Sequence, residues 1–251
     1  MQGKSPPQGA QAALRVIRLL KLFRPDQAEL SLADVSRQSG LNKTTTHRLL
    51  AALQSEAFVD KDALNGRYRL GPAVMALGVL ALSAHDLRVR ARPYLEELAR
   101  ESGETATLEV PIDDAMLILD EVSGSHFLGA AGNIGTRWPL HATSTGKAVI
   151  AFDEQGANRL GKRLISLTPR TITERDELQL QLAEVRRCGY AETVDELEEG
   201  FSGVATVVRG RAGEVLGALS ICGPTQRLPA SRRAEFGASL CRVADDLRPR
   251  S

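Results

Sequence analysis

The sequence predicts an α+β chain organised as two domains. Three observations carry this. First, 43% hydrophobic and 25% charged residues over 251 positions is the composition of an ordinary globular protein, and the length suits two domains. Second, charge is unevenly spread. Residues 1–71 hold 11 Lys and Arg against 6 Asp and Glu, whereas residues 72–251 hold 21 against 25, although the whole chain nets only +1. A basic front and a mildly acidic back point to a polyanion met at one end only. Third, the periodicity changes: apolar residues recur at helical spacing early in the chain, and strand-like runs separated by turns begin near Thr105.

Residues 1–9, rich in Pro, Gly and Gln, are expected to form a disordered leader. Ala13, Val16, Ile17, Leu20 and Phe23 then mark a helix that Pro25 ends. Ser31 followed by Asp34 has the layout of a capping box, opening a short helix that turns Leu32 and Val35 inward and stops at Gly40. Asn42 is a good N-cap for a third helix running to about Glu56, with Leu49, Leu50 and Leu53 on one side. Strands at 58–61 and 67–70 flank Asn65-Gly66, the signal of a type I′ hairpin turn. Three short helices and a hairpin, over residues 10–71, are the order of a winged helix-turn-helix.

Gly71-Pro72 opens a further helix with Pro at the tolerated first position. Residues 73–84 are apolar nearly all round and must be buried against something, so 72–86 is assigned as a linker and dimerisation helix. A helix over about 87–101 contains Pro93, where it kinks or divides. Strands are predicted at 105–110, 115–122 and 127–131, with turns at 111–114 and 123–125. Helices at 144–152 and 174–188, strands at 201–209 and 215–221, and a last helix over 231–247 complete an α+β, sensor-like domain over 87–251.

Several classes are set aside. Cys188, Cys222 and Cys241 form no CxxC pair, which indicates neither a disulfide framework nor a cysteine-rich zinc site. His47, His85, His126 and His141 lack ligand spacing such as HxxxH, so no metal and no other cofactor is expected. Arg15, Arg18 and Lys21 break any signal-peptide layout. The longest uncharged apolar stretch, 71–84, falls short of the roughly 20 residues a membrane span needs. A cytoplasmic protein without a membrane partner is expected.

On the third helix, at 100° per residue, Thr46, Leu49, Leu50 and Leu53 share the core side. Thr44 and Arg48 lie opposite, Thr45 and His47 on the flanks, and Lys43 near the N-terminus. Hydroxyls, an imidazole and two cations are what a recognition helix presents to a major groove. Such a face taken alone is more often merely solvated. Wing cations at Lys61, Arg67 and Arg69, placed to track phosphates, shift the balance towards duplex DNA.

Residues 139–147 end like a phosphate-binding P-loop. His141, however, stands where the first Gly belongs, and Ala148 replaces the Ser or Thr that would hold magnesium, which excludes a nucleotide site. The segment reads instead as a helix start capped by Thr143, leaving the amides of Ser144, Thr145 and Gly146 to meet an anion. The plain alternative is an ordinary capped helix with Lys147 in solvent. Further on, Ser220 and Cys222 share one face of a strand, although a lone cysteine is more often a small buried hydrophobe. The acidic run 195–199 suits a solvated face, with Glu196 as the exception, and Trp138 is placed to pack on the apolar part of a ligand.

Three stretches together resemble the isocitrate lyase regulator (IclR) family of bacterial transcription factors. They are Thr46-His-Arg-Leu-Leu-Ala-Ala-Leu53 with Tyr68-Arg-Leu-Gly71; Leu140-His-Ala-Thr-Ser-Thr-Gly-Lys-Ala148; and Gly189-Tyr-Ala191 with residues 196–200 and Gly217-Ala-Leu-Ser-Ile-Cys-Gly-Pro224. The resemblance implies a winged helix-turn-helix joined by a linker helix to a GAF-like effector-binding domain, in a homodimer or dimer of dimers. It also implies ligand-facing groups at Thr193, Gly203, Ser220 and Cys222. Several relatives carry an acid in place of Thr193 and a cysteine in place of Gly203.

The function expected is therefore a transcriptional regulator, a repressor, whose hold on operator DNA is set by a small carboxylate. The acid would lie between Ser144–Gly146 and the Ser220/Cys222 strand. Trp138, Phe201 and the gap left by Gly203 favour a ring-bearing acid. A hydrolase or transferase using Cys222 or Ser220 with His141 as base leaves the basic front unexplained and lacks a GxSxG nucleophile elbow. A constitutive architectural DNA binder leaves the α+β half without a role.

Overall fold

The computed structural model describes residues 10–24, 27–125, 134–161 and 163–248, and it divides after Ala84 into two compact units. The leader at 1–9, Pro25, His126 and the strand expected at 127–131 lie outside the described residues.

In the N-terminal unit α1 (Gln11–Leu20), α2 (Leu32–Ser39) and α3 (Lys43–Ser55) precede a hairpin of β1 (Val59–Lys61) and β2 (Tyr68–Leu70). The starts of α2 and α3 have local causes. Ser31 Oγ accepts the Asp34 amide at 3.1 Å while the Asp34 carboxylate accepts the Ser31 amide at 3.2 Å, a complete capping box. Gly40 closes α2 at φ +69°, a left-handed conformation that only glycine adopts without strain. Asn42 Oδ1 then accepts the Thr45 amide at 2.8 Å and starts α3. Leu19, Leu30, Val35, Leu50, Leu53, Val59 and Tyr68 form the core. Leu30 exchanges two backbone hydrogen bonds with Tyr68, tying the approach to α2 onto the wing.

The wing turn differs from the type I′ expected. Gly66 has φ +67°, but Asn65 is not left-handed as that turn requires. Instead Asp62 Oδ1 accepts the amides of Leu64 at 2.8 Å and Asn65 at 2.9 Å, an Asx turn that sets a longer loop over 62–67. After the hairpin, α4 (Pro72–Ser83) has no buried residue.

The C-terminal unit opens with α5 (Asp86–Ser102), which runs on through Pro93 rather than dividing there. The carbonyl that Pro93 leaves without its usual partner belongs to Val89, 59% exposed, on the solvent side. Six antiparallel strands follow: β3 (Thr105–Ile112), β4 (Ala115–Val122), β5 (Arg137–Pro139), β6 (Ala191–Val194), β7 (Phe201–Arg209) and β8 (Val215–Pro224). Their order in the sheet is β5-β4-β3-β8-β7-β6. Strands β5 and β6, too short for a clear alternation, are absent from the sequence prediction. Helices α5 and α8 (Ala230–Leu247) pack against the sheet on one side; α6 (Ser144–Phe152), backed by α7 (Arg175–Cys188), packs on the other. The α6 face shares a core of Met116, Leu140, Val149, Leu182, Ala205 and Ala218.

The pleat decides what the sheet shows to α6. Thr107 pairs with Ser220 and Glu109 with Ala218 across β3 and β8, while Gly203 pairs with Cys222 and Thr193 across its two neighbours. Residues two apart share a face, so Thr107, Glu109, Ser220, Cys222, Gly203 and Thr193 form one polar field at one end of the α6 side.

Candidate nucleic-acid interface and ligand cavity

On α3 the core side is fixed by Thr46, Leu50 and Leu53. Lys43, Thr44, His47 and Arg48 are exposed and Thr45 is half-buried, its amide held by Asn42. Among the described residues, Lys43, His47 and Arg48 are held by no ion pair or side-chain hydrogen bond. The wing cations are different. Arg69 forms a cross-strand ion pair with Asp60 at 2.9 Å, which raises its pKa. Arg67 reaches the Glu29 carbonyl at 3.4 Å, and Lys61 lies over the Tyr68 ring.

In the C-terminal unit a cavity of about 50 Å³ sits between the α6 N-terminus and the polar end of the sheet. Of the residues singled out from sequence, Trp138, Ser144, Thr145, Thr193, Phe201, Gly203, Ser220 and Cys222 line it. Gly146 and Glu196 do not, and each has a physical reason. The Gly146 amide is taken by Thr143 Oγ1 at 3.1 Å, so it is a capped donor and not a free one. A Cβ at Gly146 would lie 2.1 Å from the Leu140 carbonyl oxygen; glycine is there so that α6 can start hard against the preceding turn. Glu196 points instead to Lys147. The two meet at 2.5 and 2.6 Å, with Lys147 0% and Glu196 5% exposed. Neither the solvent-facing Lys147 nor a ligand-facing Glu196 survives this geometry.

Beside Gly203 the space is narrow: a Cβ there would stand 2.9 Å from Ser144 Oγ and 3.6 Å from Thr193 Oγ1, so hydroxyls crowd this glycine, which lines the cavity together with Trp138 and Phe201. The nucleophile reading with His141 as base does not assemble. His141 Nε2 is engaged by the Ile165 carbonyl at 2.9 Å, and His141 is not among the cavity-lining residues. Ser220 Oγ lies 2.7 Å from Thr107 Oγ1. Burial, together with Glu109, Glu121 and Glu104, pushes the Cys222 thiol far up and away from the reactive thiolate.

Sequence reasoning missed Thr107, Glu109 and Glu198 in the lining, and of these Glu109 bears most on the chemistry. It is 5% exposed and lines the cavity. Its Oε1 accepts the Thr107 hydroxyl at 2.9 Å and its Oε2 the Thr145 hydroxyl at 2.8 Å. Burial pushes its carboxyl up, and the two threonine hydroxyls draw it partly back. One signal was present: Thr105, Thr107 and Glu109 alternate in a strand otherwise apolar, and a polar stripe on one face of a core strand needs a polar partner.

An unpaired polar helix face beside a cationic wing, in a chain whose other unit encloses a hydroxyl-lined cavity, defines a DNA-binding regulator controlled by a small molecule. Comparison with known proteins agrees. The IclR helix-turn-helix domain matches residues 12–63, and the C-terminal domain of bacterial IclR transcriptional regulators matches residues 79–248. The chain is 34% identical over 233 residues to the HTH-type transcriptional regulator XynR of Escherichia coli, covering 92% of each. It is 36% identical over 220 residues to the glycerol operon regulatory protein of Streptomyces griseus, covering 87% of this chain and 86% of that one. Among solved structures, an IclR transcriptional regulator from Alicyclobacillus acidocaldarius superposes with a TM-score of 0.80 at 29% identity, over 94% of this chain and 96% of that one. An IclR homolog from Microbacterium hydrocarbonoxydans complexed with 4-hydroxybenzoate gives 0.76 at 26%, over 94% and 98%. The chain belongs to the IclR family of bacterial transcriptional regulators.

Proposed function

We propose that this regulator is a cytoplasmic, homodimeric repressor that reads operator DNA with α3 and releases it when a small polar organic molecule occupies the cavity of the C-terminal unit. The observation that carries the DNA reading is the face of Lys43, Thr44, His47 and Arg48, exposed and uncommitted on a helix whose other side is locked into the core. Thr44, Thr45, His47 and Arg48 are assigned to base edges, Lys43 to phosphate, and Arg67 and Arg69 to the backbone along the wing. Arg69 exchanges its exposed pair with Asp60 for a phosphate, a small loss because exposed pairs contribute little. The repressor reading leans on the transcriptional repressor IclR of Escherichia coli, 30% identical over 242 residues. Dimerisation leans on α4, where Met75, Leu77, Val79 and Leu80 are 54–68% exposed, a patch that water tolerates poorly. No single described helix is long and apolar enough to cross a membrane.

Fluorescence anisotropy on an operator fragment tests the assignment. Thr44→Ala with Arg48→Ala should relax sequence preference at about 1–3 kcal/mol per lost base contact. Lys43→Ala should weaken all sequences alike and flatten the salt slope by about one unit. Undiminished operator selectivity in the double variant overturns the helix assignment. Leu77→Glu with Leu80→Glu should release monomers in sedimentation, and an intact dimer removes α4 from the interface.

A further inference from the structure

We propose that the cavity takes a small, uncharged polyhydroxylated molecule, a polyol or sugar-like compound, with Glu109 accepting its hydroxyls and turning ionised acids away. The proposal rests on the preceding reading that this cavity is the effector site.

The first support is the geometry of Glu109. Its two oxygens each accept one threonine hydroxyl, from Thr107 and Thr145. A carboxylate has about four lone-pair sites, so each oxygen retains a site for a further O–H from a ligand. Two adjacent acceptors on one planar group match two neighbouring hydroxyls of a polyol.

The second support is the rest of the lining. Thr143, Ser144, Thr193 and Ser220 also line the cavity and bring hydroxyls, groups that both donate and accept. A polyol has the same dual capacity at every carbon, so donors and acceptors are met without a net charge. Trp138 and Phe201 offer apolar surface to its carbon chain.

The third support is the charge. Among the described residues lining the cavity there is no Lys, Arg or His, while Glu198, itself exposed to solvent, adds a second carboxylate to that of the buried Glu109. Glu121 on β4 acts on the same region: its electrostatic interaction with Glu109, on top of burial, pushes its own carboxyl up to about 7. Glu104, just before β3, is held by Arg227 at 2.6 and 2.7 Å, and Lys147 on α6 is held by Glu196. Neither cation is available to a ligand. Around Glu109, then, are a half-buried thiol, hydroxyls and further acids, and among the described residues the electropositive feature is the α6 N-terminus with its Ser144 and Thr145 amides. Where Glu109 is ionised, an ionised carboxylate entering this site leaves two like charges without a cation, and one of them must take up a proton.

Calorimetry on the full chain at pH 8, with matched probes, decides the matter. Glycerol is compared with glycerate and with the aminodiol serinol, and erythritol with erythronate. The polyols should bind at least about ten-fold more tightly than the matching acids. Glu109→Gln should reverse that order, weakening polyols and tightening acids by about ten-fold each. In the unmodified chain, lowering the pH to 6 should strengthen acid binding with net proton uptake, and Glu109→Gln should show neither effect. An acid that binds the unmodified chain at pH 8 as tightly as its polyol overturns the proposal. So does tightest binding by serinol, which would make this an ammonium site, or no binding by any polyol. The order in the unmodified chain decides by itself if Glu109→Gln does not fold. Thr145→Leu, which fills the cavity, separates the two readings. If it abolishes binding of an acid that wins, the cavity stands as effector site and only the charge inference falls. If binding persists undiminished, the effector site lies elsewhere.

Discussion

Glu109 and Glu196 are both 5% exposed, lie in the same unit and stand on either side of α6, yet the fold treats their charges in opposite ways. Glu196 is given a lysine. Lys147 Nζ reaches both its oxygens, and the Thr168 and Thr171 hydroxyls hold the backbone around it. Glu109 is given only hydroxyls and more acids. A buried carboxylate with a cation on both oxygens has nothing left to offer a ligand, and it fixes α6 to the loop after β6. A buried carboxylate held by two hydroxyls keeps its remaining lone pairs and its charge directed into a cavity. Burial alone therefore does not mark a functional acid; what its partners leave unsatisfied does.

The comparison can be broken most severely at the paired site. Lys147→Met should destabilise the chain by about 3–5 kcal/mol, because it leaves Glu196 buried and uncompensated. Lys147→Met with Glu196→Leu should recover most of that loss in urea unfolding, since a well-packed apolar pair of similar volume is often neutral. No loss in the single variant would mean that water reaches Glu196.

A smaller effect is expected where α6 begins, between the two carboxylates. Thr143→Ala removes the cap on Gly146 and should cost about 1 kcal/mol. It should also free that amide, which amide hydrogen exchange at Gly146 reports as lost protection.

Stability against pH sharpens the contrast further. The carboxyls of Glu109 and Glu121 are raised in the folded state, so the folded chain holds protons that the unfolded chain releases. Their contribution is present in full below the ordinary carboxylate range and is lost as the pH rises, for Glu121 up through about 7. Glu121→Gln should therefore raise the melting temperature at pH 8 and leave it unchanged at pH 4. A gain of equal size at both pH values would remove the titration from the explanation.

The smallest effect couples the acids. Glu109→Gln should lower the Glu121 titration point from about 7, because it removes the electrostatic contribution and leaves burial as the cause. NMR titration of the carboxyl carbon reads that shift directly. An unmoved titration would separate the two acids electrically and weaken the account of the cavity's charge.

Much of the molecule was legible in short stretches of sequence. The capping box at Ser31 and Asp34, the Asn42 cap, Pro72 at a first helical position and the α6 start at Ser144 each depend on neighbours within a few residues. Such signals act before the chain is folded. The outward face of α3 was legible for the same reason, since one helical period fixes which side Leu50 and Leu53 must turn inward. The pleat likewise put Ser220 and Cys222 together. The wing turn was misjudged because Asp62 captures the Leu64 and Asn65 amides, a side-chain competitor that the Asn-Gly pair alone does not reveal.

What tertiary structure alone decided is the partner of each buried charge and the contents of each gap. Lys147 and Glu196 are 49 residues apart, and Thr145 and Glu109 are 36 apart. No local period relates them. The space beside Gly203 is narrowed by a serine from α6, which only the docking of that helix on β7 brings into place. Local sequence sets which way a side chain faces, because backbone geometry repeats within a helix or strand. What it then meets depends on which distant element packs against it, and that is a property of the folded chain.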